Sequence, residues 1–302
     1  MAAQTAPTLY IHANNSVTYA YRKIGPTNRT SVPLLMHIHF RANMDFWDPL
    51  LLNSLAQSRT VIIFDQSGIG RSSGTVPSSY QGWANSLLSF ADALDLKQFD
   101  LLGFSMGGRC VQMVALTRPD RVRTLILAGT DCSAPQDGRE RVAPPSEPLK
   151  QLASAGPTEI AARDAIRVSF FLPNASGKDA ADGYWSRMHE RETRGEERNL
   201  ILLDRNGGSK EQIAASIAWG KTTGSNLSWH RLHELKMPVL VLLGEDDALI
   251  PTPWGKHLAE RIPGAKVKVY PETGHGFIWQ NAEEVANDVN CFIARAVIQG
   301  KL

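Results

Sequence analysis

Apolar and polar residues follow two different periods along this chain, and the switches between them outline an architecture. "SVTYAYRKIG" (Ser16 to Gly25) alternates with period two and runs into a Gly-Pro-Thr-Asn turn signal, which predicts a strand. "VPLLMHIHF" (Val32 to Phe40) and "TVIIFD" (Thr60 to Asp65) are short apolar runs suited to strands buried on both faces. "YQGWANSLLSFADALDL" places Trp83, Leu87, Phe90 and Leu94 on one helical stripe. "FDLLGF" and "VRTLILAGT" predict two further strands. The helix between them should run from Met106 to about Thr117, ended by Pro119, which lacks an N–H and clashes with the preceding turn. Strands and helices alternating at this spacing imply right-handed crossovers and a mostly parallel sheet.

The rhythm breaks between about Ala134 and Ser228, where the chain is polar, charged and helix-like. "GPTEIAARDAIRVSFF" has a proline at a helix start, and "SKEQIAASIAWG" carries Ser209 and Gln212 at capping-box spacing. "NASGKDAADG" and "DRNGGS" are expected to be loops. Strand–helix alternation then returns with "PVLVLLG", "GKHLAERIPG", "KVKVYP" and "NAEEVANDVNCFIARAVI". The expected organisation is a core of residues 1–133 and 229–302 with a helical cap at 134–228. Such an insert would lie over the C-terminal edge of the sheet, where open α/β sheets bind ligands.

Composition narrows the function classes. The 302 residues carry a formal charge of only +2 and no long basic run, which argues against a nucleic-acid groove or an anionic-membrane patch. No apolar stretch is long enough to cross a bilayer, and the N-terminus has no secretory h-region. Cys110, Cys132 and Cys291 are scattered without a CxxC pair, so a reducing, cytoplasmic setting is expected. The N-x-S/T matches at Asn14, Asn28, Asn174 and Asn226 are then chance occurrences.

Two glycine-rich turns compete for the chemistry. "FDQSGIGRSSG" approaches the G-x-G-x-x-G dinucleotide fingerprint, but Ser73 stands at the third glycine position and a loop follows instead of a helix. "GFSMGG" fits a different template: Gly103-Phe104-Ser105-Met106-Gly107 is G-x-S-x-G between a strand and a helix, the setting of a nucleophile elbow. A serine there needs a base, and the base an orienting acid. "PVLVLLGEDDALIP" ends a strand with Glu245, Asp246 and Asp247, and "KVKVYPETGHGF" ends another with His275 between glycines. Serine, then acid, then histidine is the chain order this elbow uses.

With these segments in place, the chain resembles the α/β-hydrolase fold superfamily over nearly its whole length, in the group of cofactor-free haloperoxidase-like esterases and C–C hydrolases. "FDQSGIGRSSG", with Asp65, Gly68, Gly70 and Ser72, is similar to the family's D-x-x-G-x-G-x-S segment; "GFSMGG", "LLGEDDALIP" and "ETGHGF" are similar to its elbow, acid and histidine segments. The resemblance implies an eight-stranded, mostly parallel sheet flanked by helices. It implies Ser105 as nucleophile, His275 as base and Asp247 as acid; some relatives take the acid from the preceding strand's end, which here is Asp131. The loop after the third strand usually reads H-G before an oxyanion donor. Here Ile38 and His39 occupy those two positions, so the backbone N–H groups of Phe40 and Met106 are the expected donors.

His39, Arg41, Phe170, Trp185, Trp219 and Phe277 are candidates to line the substrate pocket, and Arg109 could bind an acid group. His37 and His39 form H-x-H, which on a strand puts both on one face. No third ligand accompanies them, so neither a metal nor any cofactor is expected. The implied activity is hydrolysis of an ester, lactone or thioester of a small, largely apolar molecule. The same triad could instead cleave a C–C bond or release or cyclise a polyketide-type product. A ligand-binding protein with little catalysis is a rival of another class. The expected partner is a small molecule, with neither nucleic acid nor membrane involved, and the protein a monomer or homodimer.

Overall fold

The computed structural model describes residues 1–26, 32–138, 144, 146–192, 196, 198–203, 208–221 and 227–298. Part of the turn after Gly25, most of the "DRNGGS" stretch and the matches at Asn28 and Asn226 lie outside the described residues. In chain order the elements are β1 (Leu9–His12), β2 (Thr18–Ile24), β3 (Leu34–His37), α1 (Pro49–Leu55), β4 (Val61–Phe64), α2 (Tyr80–Ala93), β5 (Phe99–Phe104), α3 (Met106–Thr117) and β6 (Val122–Ala128). Then come α4 (Ser146–Ser154), α5 (Glu159–Phe170), α6 (Ala175–Met188), α7 (Lys210–Trp219), β7 (Val239–Gly244), α8 (Thr252–Glu260), β8 (Lys266–Tyr270), α9 (Phe277–Gln280) and α10 (Ala282–Ile298).

The strands form one eight-stranded sheet in the order β1-β2-β4-β3-β5-β6-β7-β8. β2 runs antiparallel to β1 and β4, and the remaining pairings are parallel. Strands β3, β4, β5 and β7 are buried at every position, because helices cover both faces of the sheet. The short apolar runs in the sequence correspond to these strands. The chain order reverses at β3-β5, so the C-terminal ends of β3 and β5 open onto one crevice.

Three local expectations are corrected. "NASGKDAADG" is not a loop: Asn174 accepts a hydrogen bond from Gly177 N–H (2.8 Å) and caps α6. A good N-cap outweighed the glycines. The Ser209–Gln212 capping box does not form; Ser209 makes no side-chain cap, and Gln212 Oε1 instead accepts from Arg41 N–H (3.0 Å). Finally, β3 ends at His37, so His37 and His39 do not share a strand face. His37 stacks on Trp83 and hydrogen-bonds the Gln66 amide, whereas His39 turns among Phe46, Phe104, Phe170 and Trp279.

Candidate active site

Ser105 occupies the sharp corner between β5 and α3, at φ 57° and ψ −119°. A non-glycine residue in that region stores about 1–3 kcal/mol of strain, held by its surroundings. Ser105 N–H donates to Ala128 O (2.8 Å), its side chain does not cap α3, and the residue is 9% exposed. The flanking glycines are steric necessities. A Cβ at Gly103 would lie 2.5 Å from Gly107 O, and one at Gly107 would run into His37 O. That close approach sets the β3–α1 loop against the first turn of α3.

The acid and base come from beyond the ends of the last two strands, β7 and β8. Asp247, just after β7, accepts from Leu249 and Ile250 N–H groups through Oδ1 (2.8 Å each). Its Oδ2 accepts from His275 Nδ1 at 2.6 Å. His275 Nε2 is buried and without a partner among the described residues. The imidazole is fully buried, stacked on Phe104 (5.0 Å, 27°) and edge-on to Phe170 (4.8 Å). Gly276 N–H donates to Phe170 O (2.6 Å), which ties the histidine loop to the end of α5.

Asp131 stands elsewhere. Its carboxylate accepts from Arg109 Nε at 2.6 Å, and Arg109 Nη1 reaches Tyr80 Oη (3.2 Å) and Ser216 Oγ (3.1 Å). This cluster joins α2 and α3 to α7 and commits both Asp131 and Arg109 to it.

The β3–α1 loop carries Phe40, whose N–H has no acceptor among the described residues, as is also true of the Met106 N–H at the start of α3. The family's glycine position is filled by His39, and the left-handed residue of the turn is Arg41 instead (φ 63°). Asp65 anchors this loop from β4, accepting from Met44 N–H (2.7 Å) and Arg71 N–H (2.8 Å). Burial raises its carboxyl pKa to about 6. A Cβ at Gly70 would collide with that carboxylate, which explains the upstream glycines without any nucleotide.

Of the other pocket candidates, Phe170 lies over the site, edge-on to both His275 (4.8 Å) and His39 (4.9 Å). Phe277 packs behind it against Phe104 and Tyr270. Arg41 commits its guanidinium to the carbonyls of Leu152, Ala153 and Ala155 in and after α4, and of Leu203. Trp185 meets Tyr184 and His189, and Trp219 meets Tyr80, so neither has a ring contact with the serine–histidine region. Two residues escaped the sequence reading. Phe104 is the variable position of G-x-S-x-G, and Trp279 is sandwiched between Phe170 (5.0 Å) and Tyr184 (4.1 Å). The motif names neither, since their places depend on what the insert lays over them.

An eight-stranded, mostly parallel sheet with a strained serine at its switch point and an acid–histidine pair at neighbouring strand ends defines a class of hydrolase. The chain belongs to the alpha/beta hydrolase fold family, which residues 33–282 match, and it is an enzyme of that class. It is 30% identical over 285 residues to a poly(3-hydroxyalkanoate) depolymerase of Ectopseudomonas oleovorans, covering 93% of this chain and 89% of the relative. It is 28% identical over 244 residues to a 2-hydroxy-6-oxononadienedioate/2-hydroxy-6-oxononatrienedioate hydrolase of Paraburkholderia xenovorans, covering 80% of this chain and 78% of the relative. Among solved structures, an alpha/beta hydrolase fold protein from Chitinophaga pinensis superposes with TM-score 0.83 at 28% identity, over 97% of this chain and 99% of that one.

Proposed function

We propose that this hydrolase cleaves a carboxylic ester of an uncharged, largely apolar molecule through an acyl-enzyme on Ser105. The observation that carries this reading is the His275 Nδ1–Asp247 Oδ2 hydrogen bond at 2.6 Å, which turns Nδ1 to the carboxylate and leaves Nε2 as the buried nitrogen with no partner among the described residues. Ser105 Oγ attacks the ester carbonyl as His275 Nε2 takes its proton, and Asp247 holds the imidazolium. The Phe40 and Met106 N–H groups stabilise the developing oxyanion. Collapse expels the alcohol, protonated from His275 Nε2. Water, deprotonated by the same nitrogen, then releases the acid and restores Ser105.

An uncharged substrate is favoured because Arg41 and Arg109 are both engaged: Arg109 by Asp131, Tyr80 and Ser216, and Arg41 by four backbone carbonyls. The relative from Ectopseudomonas oleovorans is named for a polymer of hydroxyalkanoates, so hydroxyalkanoate esters are the first substrates to try. Residues 134–228 act as the cap that closes over the bound acyl chain, with Phe170 and Tyr184 stacked on Trp279 of the core.

Intact mass after fluorophosphonate treatment tests the reading. One adduct on the wild type, lost in Ser105→Ala, is expected. A folded wild type that takes up no label under any condition would abandon the activated serine in favour of a binding protein.

A further inference from the structure

Beside the hydrolytic groups lies a polar atom that the reaction does not use. His39 is 2% exposed, and its ring meets those of Phe170 (4.9 Å), Trp279 (5.4 Å), Phe104 (5.8 Å) and Phe46 (6.1 Å) nearly edge-on. Its Nδ1 lies 3.0 Å from Phe40 O. A carbonyl oxygen only accepts, so Nδ1 carries the proton and Nε2 presents a lone pair. That Nε2 is buried and has no partner among the described residues. Burial also pulls the imidazole pKa down to about 3, so the ring stays neutral across the ordinary pH range. Phe104 and Phe170 flank His275 as well, which places both imidazoles around one aromatic enclosure.

An unpaired buried acceptor is unfavourable, and an apolar ring would pack among these aromatics without that penalty. The arrangement suits an acceptor that is completed by the substrate. A neutral lone pair in an aromatic enclosure attracts a hydroxyl hydrogen and repels a ketone or carboxylate oxygen.

We propose that His39 Nε2 selects the acyl half of the substrate by accepting a hydrogen bond from a hydroxyl on the acyl chain, so that hydroxyacyl esters are preferred over their deoxy counterparts. The inference rests on the ester-hydrolase reading above and names the substrate class for the same site. His39 is a specificity residue: it touches the substrate but moves no proton in the reaction.

The test compares kcat/KM for ethyl 3-hydroxyhexanoate and ethyl hexanoate. The wild type should prefer the hydroxy ester by about tenfold or more, the factor that one good buried hydrogen bond supplies. In His39→Phe the ratio should fall to about one or below, and His39→Gln, which keeps an acceptor, should recover part of it. A wild-type ratio near one, or the same ratio in His39→Phe, overturns the proposal while leaving the hydrolase reading intact. If neither ester turns over or the variants do not fold, ¹⁵N NMR of the wild type with 3-hydroxyhexanamide and hexanamide decides. The His39 Nε2 resonance should move with the hydroxy amide alone, and no selective movement overturns the inference. Loss of the hydrolase reading itself shows separately, as the absence of a Ser105 adduct.

Discussion

Asp247 is held so that its two oxygens cannot exchange tasks. Oδ1 takes two backbone N–H bonds and Oδ2 takes the His275 proton. In Asp247→Asn the side-chain oxygen must stay with Leu249 and Ile250 N–H, turning the NH2 towards His275 Nδ1. The imidazole would then carry its proton on Nε2 and lose its basic lone pair. Ester turnover should fall by about 10⁴ in kcat with KM little changed. A loss below tenfold would mean that another group orients the base.

His39 also imposes a pH dependence on folding. Its folded pKa lies near 3 and its unfolded pKa near 6.5, so only the unfolded chain binds the proton between those values. Stability from this residue is present above pH 6.5 and is lost as pH falls towards 3. Between pH 7 and pH 5 the wild type should lose about 2 kcal/mol more than His39→Phe, read from urea midpoints at the two pH values. Equal losses would show that His39 is solvated in the native state.

At the level of elements, backbone contacts decide what the elbow tolerates. Gly107→Ala drives a methyl into His37 O, where neither backbone can retreat without parting α3 from β3. At least about 3 kcal/mol of stability should be lost, at the top of the usual overpacking range. Gly156→Ala, whose added Cβ meets nothing nearer than Ala161 Cβ at 4.0 Å, should stay within about 0.5 kcal/mol. Arg41 joins the β3–α1 loop to the insert through those backbone carbonyls. Arg41→Met should therefore raise amide exchange in α4 and residues 200–203 before it affects the sheet strands. Uniform protection in this variant would mean that the loop and the insert are held together by packing alone.

Across the whole molecule, the strands of the core and the elbow helix were legible because they are set by short-range patterns. An unbroken apolar run buried on both faces, or a serine that must be flanked by glycines, needs no knowledge of distant residues. β1 and α1 were not read: β1 is a four-residue edge strand with mostly exposed side chains, and α1 is a seven-residue helix announced only by Asp48 and Pro49. The loop expected over α6 failed because one capping side chain outweighed composition. The insert is the least legible part, since its helices dock through bonds to residues far away in the chain. Tyr184 Oη donates to Phe46 O (2.9 Å), and Arg187 pairs with Asp48 (2.6 Å). Phe170 lies edge-on to a fully buried His275, so covalent labelling should wait on its movement. Phe170→Ala should speed fluorophosphonate labelling of Ser105 several-fold, whereas Trp185→Ala should leave it unchanged. Equal rates would show that the label reaches Ser105 by a route that does not pass Phe170.

By itself the sequence determined the sheet class, the strained serine and the order of serine, acid and histidine, because those depend on local sterics and on which residues end buried strands. Only the tertiary structure shows Asp247 bonded to His275 and Asp131 bonded instead to Arg109. Only the tertiary structure turned Arg41 away to the carbonyls of α4 and left His39 Nε2 unpaired among four aromatic rings. A side chain's chemistry is written in its identity, but whether it is occupied or available is fixed by the neighbours that folding brings to it.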